Sequence, residues 1–431
     1  MGPAFGPWPD ASTSGGALLP KPRIALYSHD TMGIGHMRRN LLISQALAAG
    51  HPPPVVLLIA GACEVNSFDL PPGVDCLSLP ALYKESSGQY RSRHLDLPLD
   101  ELIALRGRPI AAALEAFAPD VFIVDKVPRG AVNELDPALA SLRTNGRTRC
   151  VLGLRDVLDE PAAVRREWRE DGGDDVIAAW YDAVWVYGDP TVYDPVAEYG
   201  FGPEVAAKVH YTGYLDRQRQ PGSAGLEDDT PTETPAQPAG LSERLVLCMV
   251  GGGQDGAALA ETFVRADFPP GLTGVLLTGP CMQPEARQRL CRGAAAHSRL
   301  HVVRFVPDTG PLLGRADRVI SMGGYNSVCE VLSCEKPALI VPRVQPRQEQ
   351  LIRAERLRDL GLLDLLHPEN LSPRALTEWL AQDLPPRRPA RSRIDLNGLA
   401  NLPALLAELL DAPSRRGRCL DPERRLPHVI R

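Results

Sequence analysis

The sequence predicts an α/β protein made of two doubly wound parallel-sheet domains facing a cleft. Three observations point there: a length of 431 residues, strand-like apolar runs alternating with helical patterns in both halves, and a polar break between the halves. A chain this long exceeds one ordinary core and suits two. The break is RQRQPGSAGLEDDTPTETPAQPAG (217–240), rich in Pro, Thr, Gly and acids, a composition that stays solvated. The expected organisation is a floppy leader over 1–20, a first domain over 21–216, a flexible linker over 217–242, a second domain over 243–412 and a basic tail over 413–431.

In the first half the strands read RIALYS (23–28), PVVLLIA (54–60), DVFIVD (120–125), RCVLGL (149–154) and AVWVYG (183–188). In the second they read RLVLCMV (244–250), GVLLTG (274–279), LHVVRF (300–305), RVISM (318–322) and PALIVP (337–342). Helical patterns over 37–49, 98–117, 257–268 and 348–360 fall between them. Near-continuous apolar strands separated by helices imply parallel sheets covered on both faces, the Rossmann-like arrangement. A last helix over 398–410 is expected to pack back near the domain junction.

Composition narrows the function classes. A hydrophobic fraction of 44% and a charged fraction of 23% are those of a globular chain. The net charge of -6 argues against a nucleic-acid partner. Nine cysteines form neither a CxxC pair nor a zinc spacing, so no metal is expected and a reducing, cytoplasmic setting is. The leader lacks a signal-peptide pattern, and no apolar run approaches the roughly 20 residues of a membrane span. Peripheral contact with the inner face of a membrane stays open.

Ligands of open parallel sheets bind beyond the carboxyl ends of the strands, so the turns there carry the chemistry. After the first strand comes SHDTMGIGHMRRN (28–40), where Gly33 and Gly35 allow a tight turn and close backbone approach. His36 then stands at a helix start, where the imidazole is kept neutral as a general base requires. Capping or packing of that helix is the alternative role. Asp125, ending DVFIVD, is placed to orient His36, or else to fix its own loop. Arg38 and Arg39 follow His36 and could meet an anionic acceptor, although paired arginines are usually solvated.

In the second half, Gly251, Gly253 and Gly256 satisfy G-x-G-x-x-G between a strand and a helix. The acid expected at the end of the next strand of a dinucleotide fold is missing, which favours a phosphate- or sugar-approach loop over a nicotinamide site. The stretch 320–362 is more specific. Gly323-Gly324 make a turn, and Tyr325, Asn326 and Ser327 open a helix whose free N–H groups suit a phosphate. Glu330 follows Asn326 by one turn on the same face, where a carboxylate can accept from ribose hydroxyls. Gln348, Glu349 and Gln350 open the next helix with side chains able to read sugar hydroxyls. Two helices with polar first turns would look the same residue by residue; the joint order favours a site.

The order GGYNSVCE, KPALIVPR, RQEQLIRA resembles the donor half of GT-B glycosyltransferases, in particular MurG-type N-acetylglucosaminyltransferases and related bacterial proteins. GIGH resembles their acceptor-side glycine loop. The resemblance implies that Glu330 holds the ribose, that Gly323, Gly324, Asn326 and Ser327 cradle the diphosphate, and that Glu349 and Gln350 grip the donor sugar. It further implies that Phe305 packs the base, that Gly252, Gly253 and Gln254 approach the diphosphate and sugar, and that His36 with Asp125 is catalytic. The implied partners are a nucleotide-sugar donor, UDP-linked such as UDP-GlcNAc, and a small-molecule or lipid-linked acceptor. The implied reaction is inverting transfer with no cofactor and no metal. Glu349 departs from the Gln of MurG-type enzymes, leaving the sugar open. Segment 80–110, with Arg91, Arg93 and His94, matches no assignable part. A nucleotide-sugar epimerase or hydrolase and a non-catalytic nucleotide-binding module are the competing readings.

Overall fold

The computed structural model describes residues 21–30, 35–50, 52–61, 70–84, 89–170, 172–217, 244–306, 308–383 and 389–413. The expected leader, nearly all of the linker and the tail beyond Pro413 lie outside the described residues, as does Gly33.

The first domain is built on strands β1 (Arg23–Ser28), β2 (Val55–Ala60) and β3 (Val74–Ser78), a short hairpin of β4 (Leu82–Lys84) and β5 (Tyr90–Ser92), then β6 (Val121–Asp125), β7 (Arg149–Arg155), β8 (Ala183–Tyr187) and β9 (Val209–Tyr211). Seven of them form one sheet in the order β3-β2-β1-β6-β7-β8-β9, every pairing parallel. The second domain uses β10 (Arg244–Met249), β11 (Leu272–Leu277), β12 (Leu300–Val303), β13 (Arg318–Ser321), β14 (Ala338–Ile340) and β15 (Asp364–Leu365). They form a parallel sheet ordered β12-β11-β10-β13-β14-β15. Helices cover both faces, so central strands such as Ile24–Tyr27 and Val246–Cys248 are wholly buried, as parallel sheets require.

Strand order reverses between β1 and β6 in one sheet and between β10 and β13 in the other. These switch points open a crevice at the strands' carboxyl ends. Asp125 ends one of those four strands, and His36, Gly251–Gly253 and Gly323–Ser327 follow the other three.

The chain closes on itself. The last helix, Gly398–Asp411, packs against the first helix, Gly35–Ala48. The backbone N–H of Gly398 donates to Tyr214 O, and that of Tyr214 to Asp395 O. Five strands were not expected from the sequence: β3, β4, β5, β9 and β15. All are two to five residues long. β3 and β9 are edge strands of half-exposed residues, which removes the apolar run that marks a central strand. The helix expected over 257–268 ends at Val264, and the chain then turns so that Thr377 Oγ1 accepts from the Asp267 N–H.

Candidate active site

His36 is the second residue of helix Gly35–Ala48, which begins beyond β1. Asp30 secures that start. Its carboxylate accepts from the backbone N–H groups of Met37 and Gly61, at 3.0 and 3.2 Å, and from the Ser28 hydroxyl. The helix thereby turns the His36 ring toward β6, where Nδ1 hydrogen-bonds Asp125 Oδ2. Arg39, three residues on and so on the same helix face, grips the same carboxylate through Nε at 3.1 Å and Nη2 at 2.5 and 2.7 Å. Arg39 Nη2 also lies 3.0 Å from Nδ1, but the ionised Asp125 carboxylate can only accept, so Nδ1 carries the proton and Nε2, which none of the described residues bonds, is the basic atom.

The electrostatics follow from burial. It pushes the His36 imidazole down to about 4, against the opposing pull of Asp125. Burial alone would raise Asp125, but Arg39 and His36 beside it hold the carboxyl well below the usual range. The dyad is therefore a neutral imidazole on an ionised carboxylate at neutral pH, the form a general base needs. The sequence suggested a helix-terminus effect; the principal cause is desolvation. His29 lies alongside, its ring 4.9 Å from that of His36, and burial lowers it too. Arg39, expected as one of a solvated pair, is 2% exposed and carries the dyad's counter-charge.

On the opposite side, Gly253 has φ 90°, and a Cβ there would stand 2.2 Å from Thr278 O. Gly323 has φ 78°, and its Cβ would meet Ile340 Cγ2 at 2.6 Å. Both turns demand glycine. Gly251 and Gly252 leave open space beside their backbones, and Gln254 is exposed. Gly324 is the N-cap of helix Tyr325–Ser333 and supplies no side-chain cap, so the first N–H groups remain for a ligand. Ser327 is half-buried on that first turn.

The two sides meet. Asn326 Nδ2 donates to Gly35 O at 3.0 Å, and Arg38 Nη2 approaches Glu330 Oε1 at 3.5 Å. Glu330 is half-buried, and burial raises its carboxyl above the usual range. Glu349 and Gln350 open helix Glu349–Asp359. Arg343 binds Glu349 Oε1 at 2.5 Å and Asp255 Oδ2 at 2.9 Å, joining the Gly251–Gly256 loop to this helix. Gln350 Oε1 accepts from the Arg343 N–H at 2.9 Å. Phe305, half-buried beyond β12, shares in none of these contacts.

Sequence reasoning passed over the junction between the halves. Arg353 and Asp156, both fully buried, make a bidentate pair at 2.6 to 3.0 Å, and Tyr214 donates to Asp156 at 2.8 Å. Arg353 also reaches Gly323 O at 3.3 Å. Asp156 was readable, since an acid closes RCVLGLRD just as Asp125 closes DVFIVD. Arg353 sits among the charges of RQEQLIRAERLRD, and nothing local distinguishes it. Among the described residues, no group of three or more His, Cys, Asp or Glu could hold a metal ion, and no helix is long and apolar enough to cross a membrane.

Residues 246–398 match the glycosyltransferase family 28 C-terminal domain. That span begins in β10 and ends at the start of the last helix, and it includes every second-domain residue of this candidate site. Two UDP-N-acetylglucosamine--N-acetylmuramyl-(pentapeptide) pyrophosphoryl-undecaprenol N-acetylglucosamine transferases are similar to this chain. That of Synechococcus elongatus is 34% identical over 106 residues, 24% of this chain and 28% of that protein. That of Burkholderia thailandensis is 28% identical over 187 residues, 40% of this chain and 49% of that protein. The chain thus spans about half or less of the relatives it matches. Among solved structures, the calicheamicin glycosyltransferase CalG4 has a TM-score of 0.57 at 16% identity, covering 92% of this chain and 100% of that one. MurG of Acinetobacter baumannii has 0.53 at 16%, covering 90% and 100%. A putative UDP-N-acetylglucosamine 2-epimerase of Listeria monocytogenes has 0.57 at 15%, covering 92% and 98%. The architecture is GT-B, and the likeness to MurG-type glycosyltransferases read from the sequence holds.

Proposed function

We propose that this protein is a glycosyltransferase that moves a sugar from a nucleoside diphosphate, UDP in the first instance, to an acceptor hydroxyl with inversion. The observation that carries the reading is the placement of a buried His36–Asp125 dyad against the uncapped start of helix Tyr325–Ser333, bridged by Asn326 to Gly35. The acceptor O–H gives its proton to His36 Nε2, and the oxygen forms its bond to the anomeric carbon. The bond from that carbon to the diphosphate breaks, its electron pair leaving with the nucleotide. Asp125 stabilises the imidazolium, and Arg39 holds Asp125 still. The N–H groups at Gly324–Ser327 and the loop at Gly251–Gly253 face the developing charge on the leaving diphosphate. This chemistry needs no metal.

Glu330 is the proposed ribose acceptor and Glu349 the reader of the sugar. Phe305 is the proposed contact of the base, with Gln254 and Gln350 beside the diphosphate and sugar. The relatives named for transfer to a pyrophosphoryl-undecaprenol acceptor motivate a lipid-linked acceptor reached at a membrane surface from the cytoplasm.

A panel of nucleoside diphosphates and their sugars should raise the melting temperature, because a ligand of the folded state stabilises it by mass action. Nucleotide release should then depend on acceptor. Fast epimerisation or hydrolysis of UDP-GlcNAc alone would instead favour the activity named for the epimerase neighbours, and no binding at all would end both readings. Asp30, the additional acid near His36, is engaged with Ser28, Met37 and Gly61, which supports a single base and hence transfer.

A further inference from the structure

Arg155 ends β7, beside β6 and two residues beyond the Gly153 that pairs with Asp125. It therefore stands on the first domain's side of the crevice. The nearby arginines are matched: Arg39 with Asp125, Arg353 with Asp156, Arg343 with Glu349 and Asp255. The Arg155 guanidinium makes no hydrogen bond or ion pair with any described residue, and its Nε is buried. Arginine does not shed its proton to escape such a site, and an unmatched buried charge is costly.

Across the crevice, Glu349 is in the complementary condition. Its Oε1 takes Arg343, while its Oε2 is buried with no partner. Arg155 and Glu349 are each other's strongest opposite charge, yet no direct ion pair joins them. An unsatisfied donor of one domain and an unsatisfied acceptor of the other thus lie within electrostatic reach of each other. A carboxylate placed there would suit Arg155 and be repelled by Glu349, and an ammonium the reverse. A hydroxyl satisfies both, accepting from the guanidinium and donating to the carboxylate.

We infer that Arg155 completes the donor-sugar subsite from the acceptor-side domain, holding with Glu349 one hydroxyl of a neutral sugar. This rests on the proposed transferase reading and adds a specificity determinant to it. Because the subsite is shared by two domains, the sugar is fully held only when both face it, which ties sugar selection to the closed crevice.

The test is titration of the full chain with the best-binding nucleoside diphosphate of UDP, dTDP and GDP, then with its glucose, N-acetylglucosamine and glucuronate conjugates. In the wild type the expected result is a neutral sugar nucleotide bound better than the glucuronate. In Arg155→Met the neutral sugar nucleotide should weaken at least tenfold while the bare diphosphate changes less than twofold. Arg155→Lys should recover part of the loss. Glu349→Gln combined with Arg155→Met should cost little more than either alone, since both act on one hydroxyl. Equal weakening of the bare diphosphate would overturn the inference and place Arg155 at the phosphates; unchanged sugar binding would overturn it outright. Failure of every nucleotide to bind the wild type would defeat the transferase reading instead. Should Arg155→Met fail to fold, Arg155→Gln serves the same comparison.

Discussion

The guanidinium of Arg39 lies 5.8 Å from the ring centroid of Tyr325, so the residue that fixes the Asp125 carboxylate in one domain packs on the first residue of helix Tyr325–Ser333 in the other. Arg353 approaches the same ring at 5.6 Å, and Tyr214 stacks on it at 6.1 Å. Tyr325 is 3% exposed. A cation held over a desolvated ring contributes about 2 kcal/mol. Tyr325→Phe keeps the ring between both arginines and should leave kcat within threefold. Tyr325→Leu removes it and should lower kcat at least tenfold, with donor KM changing less. Equal losses in the two variants would show that the ring does not position Arg39.

The His36 imidazole sits at about 4 against an ordinary 6.5 because burial disfavours its charged form. The acid limb of kcat/KM for the free enzyme should accordingly fall near pH 4 to 5. An acid limb near 6.5 would remove His36 as the base. Asp125→Asn should cost on the order of 10⁴-fold in kcat, because the tautomer and the counter-charge are lost together. Stability follows the same group. The unfolded chain takes up the proton first as pH falls, so the contribution of neutral His36 is complete above about 6.5 and is lost as pH falls toward about 4. In His36→Asn that portion of the pH dependence should flatten, read from Tm between pH 7 and 4.

What the sequence disclosed and what it withheld divide along physical lines. The central strands were legible because a parallel strand buried on both faces must be apolar throughout. The short edge strands β3, β9 and β15 were not, because half-exposed residues lose that pattern. Gly253 and Gly323 were legible because φ near 80–90° with a carbonyl or methyl group against the Cα admits nothing larger. The partners of His36 were half legible. Asp125 is marked by its place at a strand end, whereas Arg39 looks in sequence like any surface arginine and is revealed only by what it touches. Arg353 is hidden for the same reason, since its partner Asp156 lies in the other half of the chain, and Arg155 because the opposite charge that acts on it most strongly, Glu349, lies there too.

The Arg353–Asp156 pair makes a stability prediction that catalysis does not confound. Both side chains are fully buried, and Tyr214 donates to the same carboxylate. Removing one partner leaves an uncompensated charge, a loss of about 3–5 kcal/mol. Arg353→Met should therefore lower Tm by roughly 6–20 °C, at about 2–4 °C per kcal/mol for domains of this size. Arg353→Met with Asp156→Leu should regain much of it, because the orphaned carboxylate is gone. If the double variant is as unstable as the sum of the singles, the pair is not the unit that holds this junction.

Glu330 separates binding from chemistry. It is one helical turn from Asn326, with Arg38 3.5 Å from its carboxylate. Hydrogen bonds to a charged acceptor are worth about 1.5–3 kcal/mol, so Glu330→Gln should raise the donor KM between tenfold and a hundredfold. If Glu330 holds the ribose as proposed, it does so alike before and during transfer, and kcat should stay within about threefold. Burial holds the Glu330 carboxyl above its usual range, so the wild-type donor affinity should weaken earlier on acidification than an ordinary carboxylate would allow. Glu330→Gln should abolish that early weakening. Arg38 approaches the oxygen that the proposed donor would use, and Arg38→Ala should leave the donor bound at least as tightly. A loss of donor affinity in Arg38→Ala comparable to that in Glu330→Gln would mean that Arg38 holds the donor and does not merely occupy its place.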